Sequence, residues 1–399
     1  MSSMRIGRRA ALAGGVAALA SPAVLRAQAD PIKLATLTPL TGAGGSYGPV
    51  MAKVAASVVE EVNKAGGVMG RRVVLVSEDD QTNPEAGVRA ARKLIDVDKV
   101  SAIMGTWASS VTTAVAPLCW ESKTFLCTVS GADSITLLPH QGFLVRTQPN
   151  SKLQVTRLAE FILSSLAAKK VFTMIPQTPF TQSTFDILNA VLPKGGATHQ
   201  SLIYDDKKNT YRTEVDQALR TSPDVILANG YTPDSVVLLK DLYRAGFKGK
   251  IIGFAYSINQ KLVDQIGQNE VVEGVYTFAP SPAEGSGAYE KVKAAVGSAN
   301  PDPYTCQVYD HVNMVLMSMA VAKDTSGVAI KDNIRKVSQS GGKPVDNAAD
   351  GIKAIAAGEK VDYSGASGPC DFDDKGDILD CKFRFEQIKS GKFTLVKIA

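Results

Sequence analysis

The sequence predicts an α/β fold of two lobes, each a mainly parallel sheet flanked by helices. Three observations support this prediction. The chain has 399 residues, enough for two domains with cores of their own. From Pro31 onward, short apolar runs alternate with helical segments of about three turns, the pattern of β-α-β units. The pattern restarts near residue 146, which indicates a second unit of similar size.

Residues 1–29 differ from the rest of the chain. They contain arginines and no acidic residue, and the pair Arg8-Arg9 precedes an apolar run rich in Ala and Gly. An Ala-Gln-Ala sequence ends at Ala29, the form of a signal-peptidase site. These features predict a twin-arginine export signal that is cleaved after about Ala29. Because the apolar run falls short of the roughly 20 residues that a membrane span needs, we expect a periplasmic protein without an anchor.

The basic balance of the chain comes largely from this segment. The chain has 44 Lys and Arg against 39 Asp and Glu, and its four signal arginines leave 40 against 39. The mature net charge is therefore about +1, and the sequence has no basic stripe with interleaved aromatic residues. We predict no nucleic-acid partner.

The first unit begins with a strand, a loop and an amphipathic helix. In helix 49–65, Met51, Val54, Val58 and Val62 recur at the spacing of one buried stripe, and a pair of glycines ends the helix. The same alternation continues to residue 128. Strands are predicted at 32–37, 73–77, 100–104 and 124–128, and helices at 49–65, 84–95 and 109–121.

The second unit repeats this alternation, and the chain turns helical after Pro280. Two α/β lobes account for this order better than one barrel, since the tail is helical and then antiparallel. Helices are predicted at 152–167, 180–192, 211–220, 234–245, 288–296, 304–322, 330–337 and 346–357. Strands are predicted at 171–175, 200–203, 225–229, 250–253, 275–278 and 393–398, and a hairpin around 374–377.

The cysteines suit an exported protein. Cys370 and Cys381 flank the hairpin, and we predict a disulfide across its base, because export permits disulfides. Cys119, Cys127 and Cys306 lie in apolar surroundings, where at least one buried free thiol is expected, and their pairing stays open. The sequence has no Cys-x-x-Cys pair and three scattered histidines, so we predict no metal and no cofactor.

The stretch VSAIMGTWASSVTTA, residues 100–114, is the strongest candidate for a binding site. An apolar strand is broken at Gly105, and Ser109 and Ser110 then begin a helix. The first N–H groups of a helix lack intrahelical partners, and the helix dipole places partial positive charge there. Serines at this position either cap the helix or bind an anion such as a carboxylate.

This order of elements resembles the exported solute-binding proteins of ABC transporters, specifically the leucine/isoleucine/valine-binding type. The similarity runs over essentially the whole mature chain. It rests on LATLTPLTGAGGSYG, VNKAGGVMGRRVVLVSEDDQTNPEAGVRAARKLI, IMGTWASS, TVSGADS and GPCDFDDKGD. The resemblance implies a type I periplasmic-binding-protein clamp, whose two lobes close over a small ligand in a cleft. It places residues 30–149 and 280–358 in lobe 1 and residues 150–279 and 359–399 in lobe 2, with crossovers near 147–152, 277–282 and 356–362.

The resemblance also assigns ligand contacts in lobe 1. The serine that holds the ligand carboxylate falls on Ser109, with Ser110 beside it. The turn that meets the amino end of the ligand falls on Gly131, Ala132 and Asp133, although Asp133 is equally suited to cap a helix.

Aromatic residues complete the implied site. The tyrosine of the first loop falls on Tyr47 and the second-lobe aromatic on Tyr231. The acidic residue that pairs with a ligand ammonium is expected after Gly253, where this sequence has Phe-Ala-Tyr ending at Tyr256. Trp107 either packs against its neighbouring loop or joins these tyrosines in a pocket suited to an apolar or aromatic acid.

We therefore predict a monomeric, non-enzymatic binding protein that serves an ABC permease. Its ligand is a branched-chain amino acid or an aromatic or apolar acid. One alternative is a ligand sensor that feeds a separate signalling partner. A weaker alternative is a serine hydrolase, because residues 44–48 fit the G-x-S-x-G form. That fit is poor, since several residues separate the strand from Ser46, and His311 lies within an apolar helix.

Overall fold

The computed structural model describes residues 30–339 and 341–399, so the predicted export signal lies outside the described residues. Residues 31–399 form one compact unit. It contains two sheets of mainly parallel strands and one small sheet of two strands, which confirms the predicted fold class. No described helix is both long and apolar enough to cross a membrane.

The first sheet is wholly parallel, with strand order β2-β1-β3-β4-β5. Its strands are β1 (Ile32–Thr38), β2 (Val73–Asp79), β3 (Ala102–Thr106), β4 (Phe125–Thr128) and β5 (Leu144–Arg146). The helices between them are α1 (Gly48–Lys64), α2 (Pro84–Arg92) and α3 (Ser109–Ser122). Helix α1 buries Met51, Val54, Val58 and Val62, so the stripe predicted from sequence is confirmed.

The second sheet has the order β14-β13-β10-β9-β8-β6-β7. Its parallel strands are β6 (Lys170–Pro176), β7 (Thr198–Tyr204), β8 (Val225–Ala228), β9 (Lys250–Phe254) and β10 (Tyr276–Pro280). Two antiparallel strands, β13 (Phe383–Lys389) and β14 (Lys392–Ile398), extend one edge. The helices are α4 (Ser151–Ser164), α5 (Pro179–Val191), α6 (Arg212–Leu219), α7 (Thr232–Arg244), α8 (Gln260–Ile266) and α9 (Asn269–Val272).

Between β10 and β13 the chain returns to the first sheet. It forms α10 (Gly287–Val296), α11 (Pro303–Ala322), α12 (Gly327–Ser338) and α13 (Ala348–Ala356), with the two-stranded sheet of β11 (Lys343–Val345) and β12 (Val361–Tyr363). Helix α11 is buried along nearly its whole length and packs against α1, α12, α13 and β3. We use lobe 1 for the first sheet with the elements packed on it, and lobe 2 for the second sheet with α4–α9.

The third crossover lies later in the chain than predicted. The prediction placed residues 359–399 in lobe 2, but Val361, Tyr363, Cys370 and Phe372 belong to the core that contains the first sheet. The Tyr363 hydroxyl donates a hydrogen bond of 2.7 Å to Asp310 of α11. Because these apolar side chains complete the lobe 1 core, the chain reaches the second sheet only at β13.

The predicted disulfide is absent from the structure, where the five cysteines are all free thiols. Cys370 is buried in the lobe 1 core, whereas Cys381 is partly buried on the third crossover. The hairpin between them closes at the pair Phe372 and Ile378, so both cysteines lie outside it. The buried state expected for the remaining thiols is confirmed, and burial raises the pKa of Cys119 to about 12.

Short or extended elements account for most differences from the predicted secondary structure. Strands β5, β11 and β12 have three residues each, too few for a period to be recognised. Helix α2 continues as a π-helical segment, Lys93–Asp98, which ends at Lys99 with φ of 58°. Helices α8 and α9 were not predicted; they have seven and four residues.

His311 of α11 connects lobe 1 to the first crossover. Its Nε2 lies 2.7 Å from the Thr147 hydroxyl, the residue is fully buried, and burial lowers its pKa to about 3. Between pH 7 and pH 5, His311 is expected to lower the free energy of unfolding of the parent protein by about 2 kcal/mol. This contribution is expected to be absent from His311→Gln. Below pH 6.5 the His311 imidazole binds a proton in the unfolded chain but not in the folded state. The folded state therefore loses stability relative to the unfolded chain as the pH falls.

The measurement is urea unfolding of both proteins at several pH values. Two buried carboxyl groups, Asp80 and Asp310, act in the opposite direction, because burial raises their pKa values to about 7 and about 6. They are common to both proteins and cancel in the comparison. Equal pH dependence in the two proteins would show that His311 becomes protonated without unfolding.

Candidate ligand-binding site

A cavity lies where the carboxyl ends of the strands in both sheets face each other. Its walls are formed by residues that follow β3 and β4 in lobe 1 and by residues at the ends of β6, β8, β9 and β10 in lobe 2. Tyr304 of α11 closes one side. Loops at this edge of parallel sheets are the usual place for ligands, because the strands end there and the helices begin.

The start of α3 forms the lobe 1 wall of the cavity. Ala108 occupies the N-cap position and provides no side-chain cap, and the first turn has no acidic residue. Ser109 and Ser110 both line the cavity. The Ser109 hydroxyl accepts a hydrogen bond of 3.2 Å from the Ala132 N–H. Its own proton and the first N–H groups of the helix can therefore be donated to an anion in the cavity.

The turn after β4 contacts the cavity only in part. Gly131 lines it, and a side chain there would collide with the Phe180 ring, since a Cβ atom would lie 2.6 Å from that ring. Ala132 and Asp133 do not line the cavity. An Asp133 carboxylate oxygen instead accepts a hydrogen bond of 3.1 Å from the Lys152 N–H in the first turn of α4.

Trp107 is the centre of an aromatic cluster from both lobes. Its ring centroid lies 5.5 Å from that of Tyr47, 5.7 Å from Tyr231 and 6.0 Å from Tyr256. The Tyr304 ring lies edge-on at 5.8 Å. Trp107 is only 7% exposed and lines the cavity together with Tyr231, Tyr256 and Tyr304. The four aromatic residues singled out in the sequence are therefore brought together in space.

Tyr47 connects the lobes beside the cavity, which it does not line. Its hydroxyl donates to the Ala255 carbonyl at 3.2 Å and accepts from the Asn259 amide at 2.9 Å. Lys261 also reaches across from lobe 2 and donates to the Ser46 hydroxyl at 3.1 Å. These contacts join lobe 1 to lobe 2 beside the cavity.

Asn229 and Tyr256 form the lobe 2 floor. The Tyr256 hydroxyl donates a hydrogen bond to the Asn229 side-chain oxygen, and both residues line the cavity. Asn229 is fully buried, and its side-chain nitrogen has no hydrogen-bond partner among the described residues. Phe254 stacks on Tyr256 at 5.7 Å. Burial raises the pKa of Tyr256 well above its ordinary value, so its hydroxyl remains protonated.

Comparison with known proteins identifies the chain. A family model described as periplasmic binding protein matches residues 31–392. The chain belongs to this family. A leucine-binding protein from Thermotoga maritima has a similar structure, with a TM-score of 0.78 and 21% identity, covering 92% of this chain and 98% of that one. A solute-binding protein from R. palustris in complex with benzoate has a TM-score of 0.74 at 16% identity, covering 92% of this chain and 96% of that one.

Two sequence relatives of this periplasmic binding protein have names that describe different roles. The Leu/Ile/Val-binding protein homolog 3 of Brucella melitensis is 24% identical over 340 residues, covering 84% of this chain and 89% of the relative. A substrate-binding protein of the chemotactic signal transduction system of Halobacterium salinarum is 26% identical over 354 residues, covering 86% and 83%.

A buried ion pair supports the turn that holds Ser109 in this binding protein. Arg146 is fully buried, and its guanidinium lies 2.6 Å from a carboxylate oxygen of Asp377. It also donates to the carbonyls of Ser130 at 3.3 Å and Ala132 at 2.7 Å. Sequence reasoning missed this pair, because the two residues are 231 positions apart.

Three glutamines pair with one another at the first crossover. Gln307 of α11 donates to the Gln148 side-chain oxygen at 2.8 Å, and Gln148 donates to Gln154 at 3.4 Å. Gln154 donates in turn to the Pro149 carbonyl at 2.9 Å. Gln148 and Gln154 line the cavity, and neither was singled out in the sequence. The side-chain nitrogens of Gln148 and Gln154 each donate one hydrogen bond to a partner within the protein.

The described residues form neither a metal cluster nor a serine–histidine pair at Ser46. No group of three or more His, Cys, Asp or Glu in the described chain is arranged to hold a metal ion. Ser46 contacts Lys261, whereas His199 contacts Thr173 and Asn189. The serine-hydrolase alternative therefore gains no geometric support in the part of the chain that the structure describes.

Proposed function

We propose that this protein is exported to the periplasm and captures a small carboxylate-bearing solute for an ABC importer by closing its two lobes. One observation carries the proposal: the uncapped start of α3, with Ser109 and Ser110, opens into a buried aromatic cavity between the lobes. Hydrogen-bond donors at a helix N-terminus suit a carboxylate, and the surrounding rings suit an apolar remainder.

The mechanism is a shift between open and closed states. The carboxylate binds first to α3 in lobe 1. Tyr231 and Tyr256 of lobe 2 then cover the rest of the solute against Trp107. The solute favours the closed state because only there does it contact both lobes. The closed surface is presented to a membrane permease, and the binding protein acts as a monomer without catalysing a reaction.

The ligand is a branched-chain amino acid or an aromatic or apolar acid. The names of relatives support both choices, since one similar structure is a leucine-binding protein and another contains benzoate. A thermal-shift screen of the purified protein tests the proposal with branched-chain amino acids, aromatic amino acids, benzoate-type acids and phenylpropanoid acids. A ligand at 100 times its dissociation constant adds about 2.7 kcal/mol of stability and raises the melting temperature. The absence of a shift with every acid would contradict the proposal.

Ser109→Ala is expected to weaken binding of the best acid by about 1.5–3 kcal/mol, the range for a hydrogen bond to a charged group. Isothermal titration calorimetry measures the change. Ser122→Ala is the matched control, because Ser122 lies at the other end of α3 and outside the cavity. An unchanged dissociation constant in Ser109→Ala would remove Ser109 from the site.

A ligand sensor is the second candidate function, and the relative from a chemotactic signal transduction system supports it. Deletion of the gene distinguishes the two candidates. Loss of uptake of the radiolabelled ligand supports the importer. Loss of a behavioural response to the ligand, with uptake intact, supports the sensor and contradicts the importer.

A further inference from the structure

We infer that the captured solute carries no amino group and presents an oxygen atom to the Asn229 amide at the end opposite its carboxylate. The inference rests on the proposed function, because it assumes that α3 receives the carboxylate. It assigns the solute to the amine-free organic acids with a second oxygen function, such as ring-hydroxylated aromatic acids.

The first observation is the chemistry of the cavity wall. Among the described residues that line the cavity, none is Asp, Glu, Lys, Arg or His. An α-amino acid brings an ammonium group, and a buried ammonium without a counter-charge is strongly destabilised. The wall offers that ammonium no carboxylate to pair with.

Carboxyl groups do lie behind the wall, but they do not line the cavity. Burial is the main cause of the raised pKa of the Tyr231 phenol, and Asp80, Asp206 and Asp234 are close enough to contribute to it. Burial and then Asp302 raise the pKa of the Tyr304 phenol, and the Asp302 carboxylate already accepts hydrogen bonds from the Thr305 N–H at 3.0 Å and hydroxyl at 2.6 Å. An Asp234 oxygen already accepts hydrogen bonds from the Lys207 N–H at 2.7 Å and the Tyr211 hydroxyl at 2.9 Å. Asp80 is fully buried, and burial raises its pKa to about 7, which weakens it as a permanent negative charge.

The second observation is which of the helices that begin at the cavity lack a side-chain cap at the N-terminus. Five helices begin at or beside the cavity, and α4, α5 and α11 carry side-chain caps from Asn150, Thr178 and Asp302. Helix α3 of lobe 1 and α7 of lobe 2 begin at Ala108 and Tyr231 without a side-chain cap, and both N-termini line the cavity. The first turn of α7 contains Asp234, whereas that of α3 has no acidic residue, so the start of α3 is the positive helix end that favours an anion and opposes an ammonium.

The third observation concerns Asn229. It follows β8 in lobe 2, across the cleft from Ser109, and it is fully buried. The Tyr256 hydroxyl occupies its side-chain oxygen, whereas its side-chain nitrogen has no partner among the described residues. Buried N–H groups without a partner are rare in proteins. The side-chain amide nitrogens of Gln148 and Gln154 each already donate to a protein partner, so Asn229 carries the one side-chain amide nitrogen among the described cavity residues that has none.

The first experiment compares acids that differ only in the amino group. Phenylpropanoate is compared with phenylalanine, and isocaproate with leucine, by isothermal titration calorimetry on the purified protein at pH 7.5. We expect each amine-free acid to bind at least about tenfold more tightly than its amino acid, since the ammonium loses its water without gaining a partner. Tighter binding of the amino acids would overturn the inference and leave the proposed function standing. Weaker binding of those amino acids to Asp80→Asn would then identify their charge partner.

The second experiment tests the contact with Asn229. Phenylpropanoate is compared with its ortho-, meta- and para-hydroxylated forms in the parent protein and in Asn229→Leu. We expect one hydroxyl position to improve binding about tenfold in the parent and to have no effect in the variant, because the N–H donor is lost. The readout is the ratio of hydroxylated to unsubstituted affinity within each protein, so a uniform loss of affinity in the variant does not affect the comparison. Asn229→Ala, which also lacks a donor, serves in the same comparison if the leucine variant fails to fold.

The remaining outcomes separate the inference from the function on which it rests. A hydroxyl preference that persists in both Asn229 variants, or that is absent from the parent protein, would overturn the contact with Asn229. If neither the acids nor the amino acids bind, while neutral amides of the same skeletons do, the proposed capture of a carboxylate is wrong. The inference is then wrong with it.

Discussion

Replacing Asp377 with leucine is expected to lower the free energy of unfolding by about 3–5 kcal/mol, because it leaves a buried guanidinium without its counter-charge. Arg146 is fully buried and bonds to one carboxylate oxygen of Asp377 through both Nε, at 2.7 Å, and Nη2, at 2.6 Å. The other carboxylate oxygen accepts hydrogen bonds from Thr136 and Asn150, each at 3.1 Å. Urea unfolding at pH 7 measures the loss.

Two further variants test whether the loss of stability comes from the unpaired buried charge. Glu60→Ala removes an ion pair with Lys64 whose side chains are 66% and 73% exposed, and we expect no measurable change in stability. Arg146→Met combined with Asp377→Leu is expected to recover part of the loss, since both charges are then absent. A loss below about 1 kcal/mol in Asp377→Leu would show that the carbonyls around Arg146 are sufficient to stabilise its charge.

Trp107→Ala is expected to reduce the affinity for the best aromatic acid of the thermal-shift screen by at least about 100-fold. The indole contacts rings from both lobes, so its loss removes a wall of the cavity and a contact that favours closure. The free energy of unfolding should fall by about 3–5 kcal/mol, as for other buried tryptophans replaced by alanine. Isothermal titration calorimetry and urea unfolding measure the two effects.

The second tryptophan of the chain provides the matched control. Trp120 lies on the same helix that begins at Ser109, is partly buried and does not line the cavity. Trp120→Ala is expected to leave the affinity unchanged. Trp107→Phe keeps a smaller ring and should lie between the parent and Trp107→Ala. Retention of affinity within about threefold in Trp107→Ala would exclude the indole from the binding surface.

The order of strands and helices could be predicted from the sequence, because hydrophobic period is a local property. The stripe on α1 and the start of α3 at Ser109 depend only on neighbouring residues. Several site residues could be placed for a related reason. Trp107, Tyr231 and Tyr256 each follow a strand, and the carboxyl ends of parallel strands share one edge of a sheet.

The tertiary structure decided which polar groups remain available. The residues next to Asn229 in the sequence do not indicate whether its amide is hydrogen-bonded. In the folded protein, burial beside Tyr256 leaves its side-chain nitrogen without a partner among the described residues. Tyr304 reaches the cavity because α11 packs in the core of lobe 1, far along the chain from Trp107. No local pattern contains these relations.

The same distinction explains the two corrected predictions. The sequence places Cys370 and Cys381 on either side of a hairpin, but packing directs Cys370 into the lobe 1 core and Cys381 onto the crossover. Residues 361–378 belong to lobe 1 because their apolar side chains pack there. Local sequence determined the elements and the candidate helix start. Contacts such as that between Tyr47 and Ala255, which are 208 residues apart, arise only when two distant segments are folded against each other.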